Sequence, residues 1–317
     1  MACFLKRRLA ALGLVVAGFA VAAACATSAP RLPGAPSPTN VPSRLRVQVA
    51  GQVTTVALEQ YVLGAALSEV TPAGESDRAV ATIYEVQAIL ARTYAAAHMG
   101  RHATQGFDLC DQTHCQLYQP GRIQTAKFAA LARKAVAATA GRILRHDGRA
   151  ADAPFHSDCG GRTTTPVDAW GGSRLPYLPE RADDLPEGTH RSWQFAATLQ
   201  EWTAILRRDP RTDPGGPVRG LTVTRTDGSG RAAEVEIAGP RTRLVTGSLL
   251  RSVVTAGRGD RSVMSTRFAI SRTAGGFRLE GTGFGHGVGL CQVGGIARAR
   301  RGDSVSAILG HYYPGAR

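Results

Sequence analysis

Between Gly281 and Gly289 every second residue is glycine, and Thr282, Phe284, His286 and Val288 fill the gaps. Alternation is the period of a strand, whose side chains point to opposite faces. One face would be bare backbone; the other would carry an aromatic ring and an imidazole. Glycine weakens a strand, so the run marks a bulge or a place where another backbone or a ligand comes close. His286 and, just past the run, Gln292 are therefore placed where something comes close, although a lone histidine is more often a satisfied structural residue. Glu69 is a candidate of another kind. It ends an apolar stretch (Ala65, Ala66, Leu67, then Val70) just before Pro72. A carboxyl held against apolar groups has its charged form disfavoured and can donate a proton near neutral pH. A solvated helix-end carboxylate is the plain alternative.

Gln87 and Arg92 lie in "VQAILARTYAAA". Five residues apart on a helix, they are offset by roughly 140°. An arginine buried among Ala, Leu and Ile needs an acidic partner, either from the protein or from a substrate carboxylate. "CDQTHCQLY", residues 110–118, offers Cys110, His114 and Cys115 within six positions. With Cys159 they would make four zinc ligands. The spacing is not that of a standard finger, and a disulfide is the alternative. "HSDCGG", residues 156–161, reads as a loop turning into a cleft, but no G-x-S-x-G elbow accompanies it to support a serine hydrolase. Neither G-x-G-x-x-G nor a phosphate-loop lysine is present, which argues against a nucleotide.

These residues need elements to position them. The hairpin signal is "RLRVQVAGQVTTVAL", two alternating runs around Gly51. "LEQYVLGAALSEV" and "RAVATIYEVQAILARTYAAAHMG" have helical spacing, the second stopping at Gly100. "TAKFAALARKAVAATAG" predicts a third helix. Residues 175–215, rich in Pro, Asp, Glu and Arg, read as a surface excursion holding one helix, "TLQEWTAILRR". Beyond it lie strands, with a hairpin at Asp227-Gly228, then a closing helix and an aromatic end. The expected class is α+β, with early helices packed on a late, mainly antiparallel sheet.

At 317 residues the chain has ample length for a core. Its formal net charge is +14, and Lys6, Lys127 and Lys134 are the only lysines. Arginine forks suit carboxylate and phosphate partners. The arginines are scattered, and no zinc-finger spacing, RRM signature or basic helix accompanies them. That argues against nucleic acid and leaves an acidic wall polymer. The N-terminus has a basic start (Lys6, Arg7, Arg8), an apolar middle and a small-residue end, the layout of a secretory signal. The expected organisation is a signal or lipoprotein signal over 1–25, a Pro/Ser-rich tether over 26–44, and one domain over 45–317. Cys25 is a candidate lipid anchor, with ordinary cleavage nearby as the alternative. The mature protein is then exported, to the periplasm or cell envelope. In such an oxidising compartment Cys110, Cys115, Cys159 and Cys291 favour disulfides, with three pairings open.

Taken together, "LEQYVLGAALSEV", "VQAILARTYAAA", "CDQTHCQLY", "HSDCGGRT", "GHGVGLCQVGG" and "ILGHYYPG" resemble, in order, the motifs of the bacterial sporulation stage II protein D and amidase-enhancer family. The likeness spans most of 45–317 and is weakest near 175–215. It implies a cell-wall role. One branch consists of lytic transglycosylases acting on glycan strands that lack stem peptides; the other modifies wall amidases. By resemblance Glu69 is the catalytic acid. Gln87, Arg92, His286, Gln292, Tyr312 and Tyr313 are substrate-binding. Cys110, His114 and Cys115 belong to a segment that binds zinc in some members, although the reaction itself requires no cofactor. Cys291 departs from the pattern, standing where many members have serine, and "EVTPAGESDRAV" is longer than the usual connection. Three functions follow as expectations: a lytic transglycosylase giving 1,6-anhydro-muramyl ends, a non-catalytic glycan binder that recruits or enhances an amidase, and a zinc-dependent wall hydrolase.

Overall fold

The computed structural model describes residues 41–183, 185 and 189–317. The signal segment, Cys25 and the tether as far as residue 40 lie outside the described residues. Strands β1 (Arg44–Val49) and β2 (Gln52–Ala57) form the expected hairpin, turned at Ala50 and Gly51, both with positive φ. Helix α1 (Leu58–Glu69) follows without a break and stops at Val70, which is extended, two residues before Pro72. Helix α2 (Asp77–His98) begins at Ser76, whose side chain accepts the Ala79 N–H, and ends before Gly100 at φ +77. Strand β3 (Leu109–Cys110) runs parallel to β1 and completes a sheet of order β2-β1-β3.

Helices α3 (Arg122–Thr125) and α4 (Ala129–Ala138) come next; α4 is the third expected helix, starting four residues later than the expected stretch and preceded by the separate turn α3. The strand pair β4 (Arg145–His146) and β5 (Arg149–Ala150), strand β6 (Phe155–His156) and helix α5 (Pro166–Trp170) close this part of the chain. Tyr61, Leu67, Ile89 and Leu90 are fully buried in its core. Each such side chain contributes roughly 1.5–3 kcal/mol. Gly64 has no side chain because the Tyr118 ring occupies the place of its Cβ.

A second core follows. Strand β7 (Ser192–Thr198) leads through a capping box, Thr198 with Glu201, into α6 (Leu199–Leu206). Strands β8 (Gly220–Thr226), β9 (Ala232–Ala238) and β10 (Arg243–Val245) make an antiparallel sheet. Helix α7 (Gly247–Arg258) and strands β11 (Phe268–Arg272) and β12 (Gly276–Thr282) follow, and β12 pairs antiparallel with both β11 and β7. The chain then returns to the first core as β13 (Leu290–Cys291), α8 (Gln292–Arg300) and α9 (Val305–Tyr312).

The class is α+β, with 34% helix and 25% strand. Two parts of the expectation change. The early helices pack on each other and on their own small sheet, while the late strands form a separate core. Within the expected surface excursion, residues 192–206 join the second core. Their strand β7 pairs along the whole of β12 at one edge of the β11-β12-β7 sheet, and Trp202 in α6 is 0% exposed with its Nε1–H donating to Phe277 O at 3.0 Å. The polar composition of the segment hid three apolar anchors, Trp202, Ile205 and Leu206, spaced along one face of a short helix.

Candidate functional site

Glu69 is held where α1 stops. Its Oε1 accepts the Leu117 N–H at 2.6 Å, and its backbone carbonyl accepts Gln292 Nε2–H at 3.2 Å. The side chain is half-buried. Burial pushes its carboxyl up to about 7, against the opposing pull of the Leu117 N–H. The apolar spacing of α1 buries residues 61–67 and so carries the last carboxyl of the helix against the body of the protein. A hollow opens beside it, lined by Val70, Ile83, Gln87, Leu290, Gln292 and Ile296. An adjoining groove runs past Thr71 and Glu75 to Val293 and Arg300 on α8. Arg300 grips Glu75 at its rim by a two-armed pair and holds that carboxyl below its ordinary range.

Gln87 and Gln292 line this hollow, and Gln292 ties it to the Glu69 backbone carbonyl, while the Glu69 carboxyl is turned to Leu117. Gln87 is 2% exposed, and its Nε2 has no hydrogen-bond partner among the described residues. The other expected contacts are placed elsewhere. Arg92 is 0% exposed and is spent on the protein: Nε donates to Glu59 Oε1 at 2.8 Å, Nη2 to Oε2 at 2.6 Å, and Nη1 to Arg142 O at 3.0 Å. Its acidic partner is thus Glu59, in the first turn of α1, rather than a substrate. Tyr312 donates to Asp183 Oδ1 at 2.6 Å and Tyr313 to Pro154 O at 2.6 Å; both are buried in the core, not in the cleft.

The glycine run is not a strand beyond Thr282. Gly283, Gly285, Gly287 and Gly289 all have positive φ, between +69 and +112. The bare face lies against the protein itself. A Cβ on Gly283 would meet Asp158 O at 2.8 Å, one on Gly285 would meet His156 Cβ at 2.8 Å, and one on Gly289 would overlap Pro154 O. Val288 N–H donates to His286 Nδ1 at 3.0 Å, leaving Nε2–H to donate to Phe155 O at 3.0 Å. Burial, and then the nearby Arg251 and Arg231, push this imidazole down to about 3, so it is neutral. His286 braces the ribbon against β6, and no hydrogen bond joins it to Glu69. Because β6 pairs in parallel with β13, that brace sets the strand from which Gln292 emerges. Gly289→Ala is expected to destabilise the protein by roughly 2–4 kcal/mol, read as a shifted urea midpoint with unchanged slope.

The thiols and imidazoles sort into two groups. His102, Cys110, His114 and Cys115 place one donor atom each within 4.8 Å of one another. His114 Nδ1 lies 3.3 Å from Cys110 Sγ, and His102 Nε2 lies 3.3 Å from Cys115 Sγ. His102 Nδ1 lies 2.7 Å from Gln105 Oε1, a contact that makes Nδ1 the protonated nitrogen and turns the Nε2 lone pair to the cluster. Its hydrogen bond with Cys115 draws the Cys110 thiol down to about 6. The fourth donor is thus His102, not Cys159. Cys159 lies instead with Cys291 and Asp183, and no S–S bond joins any of Cys110, Cys115, Cys159 and Cys291 in the structure. The pattern His102, Cys110, His114, Cys115 was visible in the sequence. The expected end of α2 at Gly100 separated its first member from the rest.

Residues 47–146 match the Stage II sporulation protein family (SpoIID), and residues 183–289 match a domain of unknown function, DUF8618. Stage II sporulation protein D of Bacillus amyloliquefaciens is 28% identical over 279 residues, covering 83% of this chain and 74% of that one. Its Bacillus subtilis counterpart is 26% identical over 280 residues, covering 84% and 75%. The amidase enhancer of Bacillus subtilis is 25% identical over 276 residues, covering 73% of this chain but 37% of its own length. The first match covers the elements that carry Glu69 and the His/Cys cluster, and the second falls on the separate core of late strands. Over residues 47–146 the chain is thus similar to the Stage II sporulation protein family (SpoIID), and along most of its length it is similar, at modest identity, to proteins named stage II sporulation protein D and amidase enhancer.

Proposed function

We propose that the protein is an exported peptidoglycan lytic transglycosylase that cuts peptide-free glycan strands to 1,6-anhydro-muramyl products. The observation that carries this reading is the Glu69 carboxyl, raised to about 7 by burial, on a residue whose backbone is tied to Gln292 in the wall of the hollow. The relatives' names support a role in the cell wall. One carboxyl suffices, because the sugar's own 6-hydroxyl is the attacking group. Leu117 N–H engages Oε1, so the proton resides on Oε2, the oxygen left to meet the bridging glycosidic oxygen. After protonating that oxygen, Glu69 as carboxylate takes the proton of the 6-hydroxyl while the ring closes. The apolar lining keeps out the water that would hydrolyse the bond instead. Peptide-free muramic residues carry lactyl carboxylates, which a chain of net charge +14 attracts.

The His102, Cys110, His114 and Cys115 donors fit zinc: two imidazole nitrogens and two thiol sulfurs form the closed, four-donor set of a structural site. Zinc there would supply a fold-stabilising cross-link. The same segment then runs on to Leu117, whose N–H holds Glu69. The purified protein is expected to contain about one zinc per chain, and chelation or His102→Ala to lower Tm by roughly 5 °C or more. Elemental analysis with thermal melts checks both.

The test of the enzyme reading is mass spectrometry of amidase-stripped glycan incubated with the mature protein, where anhydro-muramyl ends should accumulate. The amidase enhancer relative favours a second reading, a non-catalytic glycan binder that stimulates a wall amidase. On that reading glycan is bound, no anhydro ends form, and release of stem peptides rises only when an amidase is added.

A further inference from the structure

We propose that Cys159 and Cys291 close a disulfide bond that ties the 155–160 loop to the start of α8 behind the cleft. The two sulfurs lie within 4.8 Å of each other, and Cys159 N–H donates to Cys291 Sγ at 3.2 Å. Both residues are 0% exposed. Cys291 is the N-cap of α8, where its sulfur accepts the Gly294 N–H at 3.4 Å. Cys159 Sγ meets Asp183 Oδ2 at 3.3 Å on its other side. Two carboxylates stand by the sulfurs, and both are engaged: Asp158 Oδ1 with Gly160 N–H at 2.9 Å and His190 Nδ1 at 2.7 Å, its Oδ2 with Arg191 N–H at 2.7 Å, and Asp183 Oδ1 with the Tyr312 hydroxyl at 2.6 Å. With both carboxylates already held by protein donors, the juxtaposed sulfurs suit each other better than a metal. The other thiol pair, Cys110 and Cys115, has two imidazoles as company and does not need this chemistry.

The bond forms during folding, before the pair is buried, by exchange with a disulfide oxidant. One cysteine thiolate attacks a sulfur of the oxidant and expels a thiol. The second cysteine attacks the resulting mixed disulfide and expels the other. Two protons and two electrons pass to the oxidant, which leaves as two thiols, and one S–S bond joins Cys159 to Cys291. The cross-link spans 132 positions and joins the loop that follows β6 to the end of β13, its parallel partner. In the cell it rests on the reading of the chain as exported; in a defined redox buffer it does not.

Chain refolded in reduced and oxidised glutathione with zinc present, and chain recovered from the periplasm of an expressing host, are alkylated under denaturing conditions and digested with trypsin. The expected product is peptide 150–162 joined to peptide 279–298, with Cys110 and Cys115 both alkylated within peptide 102–122. Reduction should lower Tm by roughly 5–10 °C. Cys159→Ser, Cys291→Ser and the double variant should all melt near the reduced form and no longer respond to reductant. Alkylation of both Cys159 and Cys291 in the refolded chain, a linkage to Cys110 or Cys115, or a second zinc held per chain would overturn the proposal. None of these readings uses glycan cleavage, so the result stands apart from the enzymatic one.

Discussion

Glu69→Gln protein is expected to release about 10³-fold less anhydro-muramyl product than the parent and to be more stable than it above pH 7. The first effect follows from removing the proton donor the cleft offers at that position, since a positioned general acid contributes roughly 10²–10⁴-fold. The amide keeps shape and hydrogen-bonding reach but has no proton to transfer. The parent rate should fall as pH rises through about 7, where the carboxyl loses its proton. The variant's residual rate should not follow that curve. A single assay series over pH 5–9, scored by mass spectrometry, reads both. A Glu69→Gln variant that cuts at the parental rate would remove Glu69 from the mechanism.

The stability effect has a definite sign. The folded carboxyl sits at about 7 and the ordinary value is 4.5, so the folded state binds this proton more tightly than the unfolded chain does. The stability linked to it is complete below about 4.5 and is lost as pH rises to about 7. Beyond that the parent bears a half-buried charge costing on the order of 3 kcal/mol. The amide of the Glu69→Gln variant never ionises and escapes the cost. Urea midpoints of the two proteins should converge near pH 4.5 and separate by pH 8. Stability lost alongside activity would instead point to a structural carboxylate.

The second large effect is expected from the buried ion pair. Glu59→Ala leaves the Arg92 guanidinium, 0% exposed, with only carbonyl partners. Breaking a buried pair from one side costs about 3–5 kcal/mol, and the low end applies because the Glu59 side chain is 43% exposed and meets water. Arg92→Ala should cost a similar amount. Arg92→Lys should fall between, keeping the charge but losing the two-armed grip. Glycan affinity per folded molecule should be unchanged in each. A weakened affinity with parental stability would return Arg92 to the role of a substrate contact, the one its sequence context left open.

Much of this was legible in the chain. Helices α1 and α2 were readable because their apolar residues recur every three to four positions and Gly100 ends the second. Glu69 was readable because those same apolar neighbours would desolvate a carboxyl at the helix end. The SpoIID resemblance rested on motifs that the sequence displays in order. Tertiary structure decided what each side chain meets. Alternating glycines signalled a close approach, but the hydrophobic pattern carries no information about the sign of φ. The strand reading therefore failed after Thr282, and what approached was the 154–160 segment. Arg92 demanded an acid, and only folding brought Glu59 to it from 33 positions away. His102 joined Cys110, His114 and Cys115 because β3 pairs with β1 and turns that loop back over the end of α2. Local spacing fixes the period and the chemical repertoire; partners distant in sequence are fixed only when the chain packs and buried polar groups must find one another.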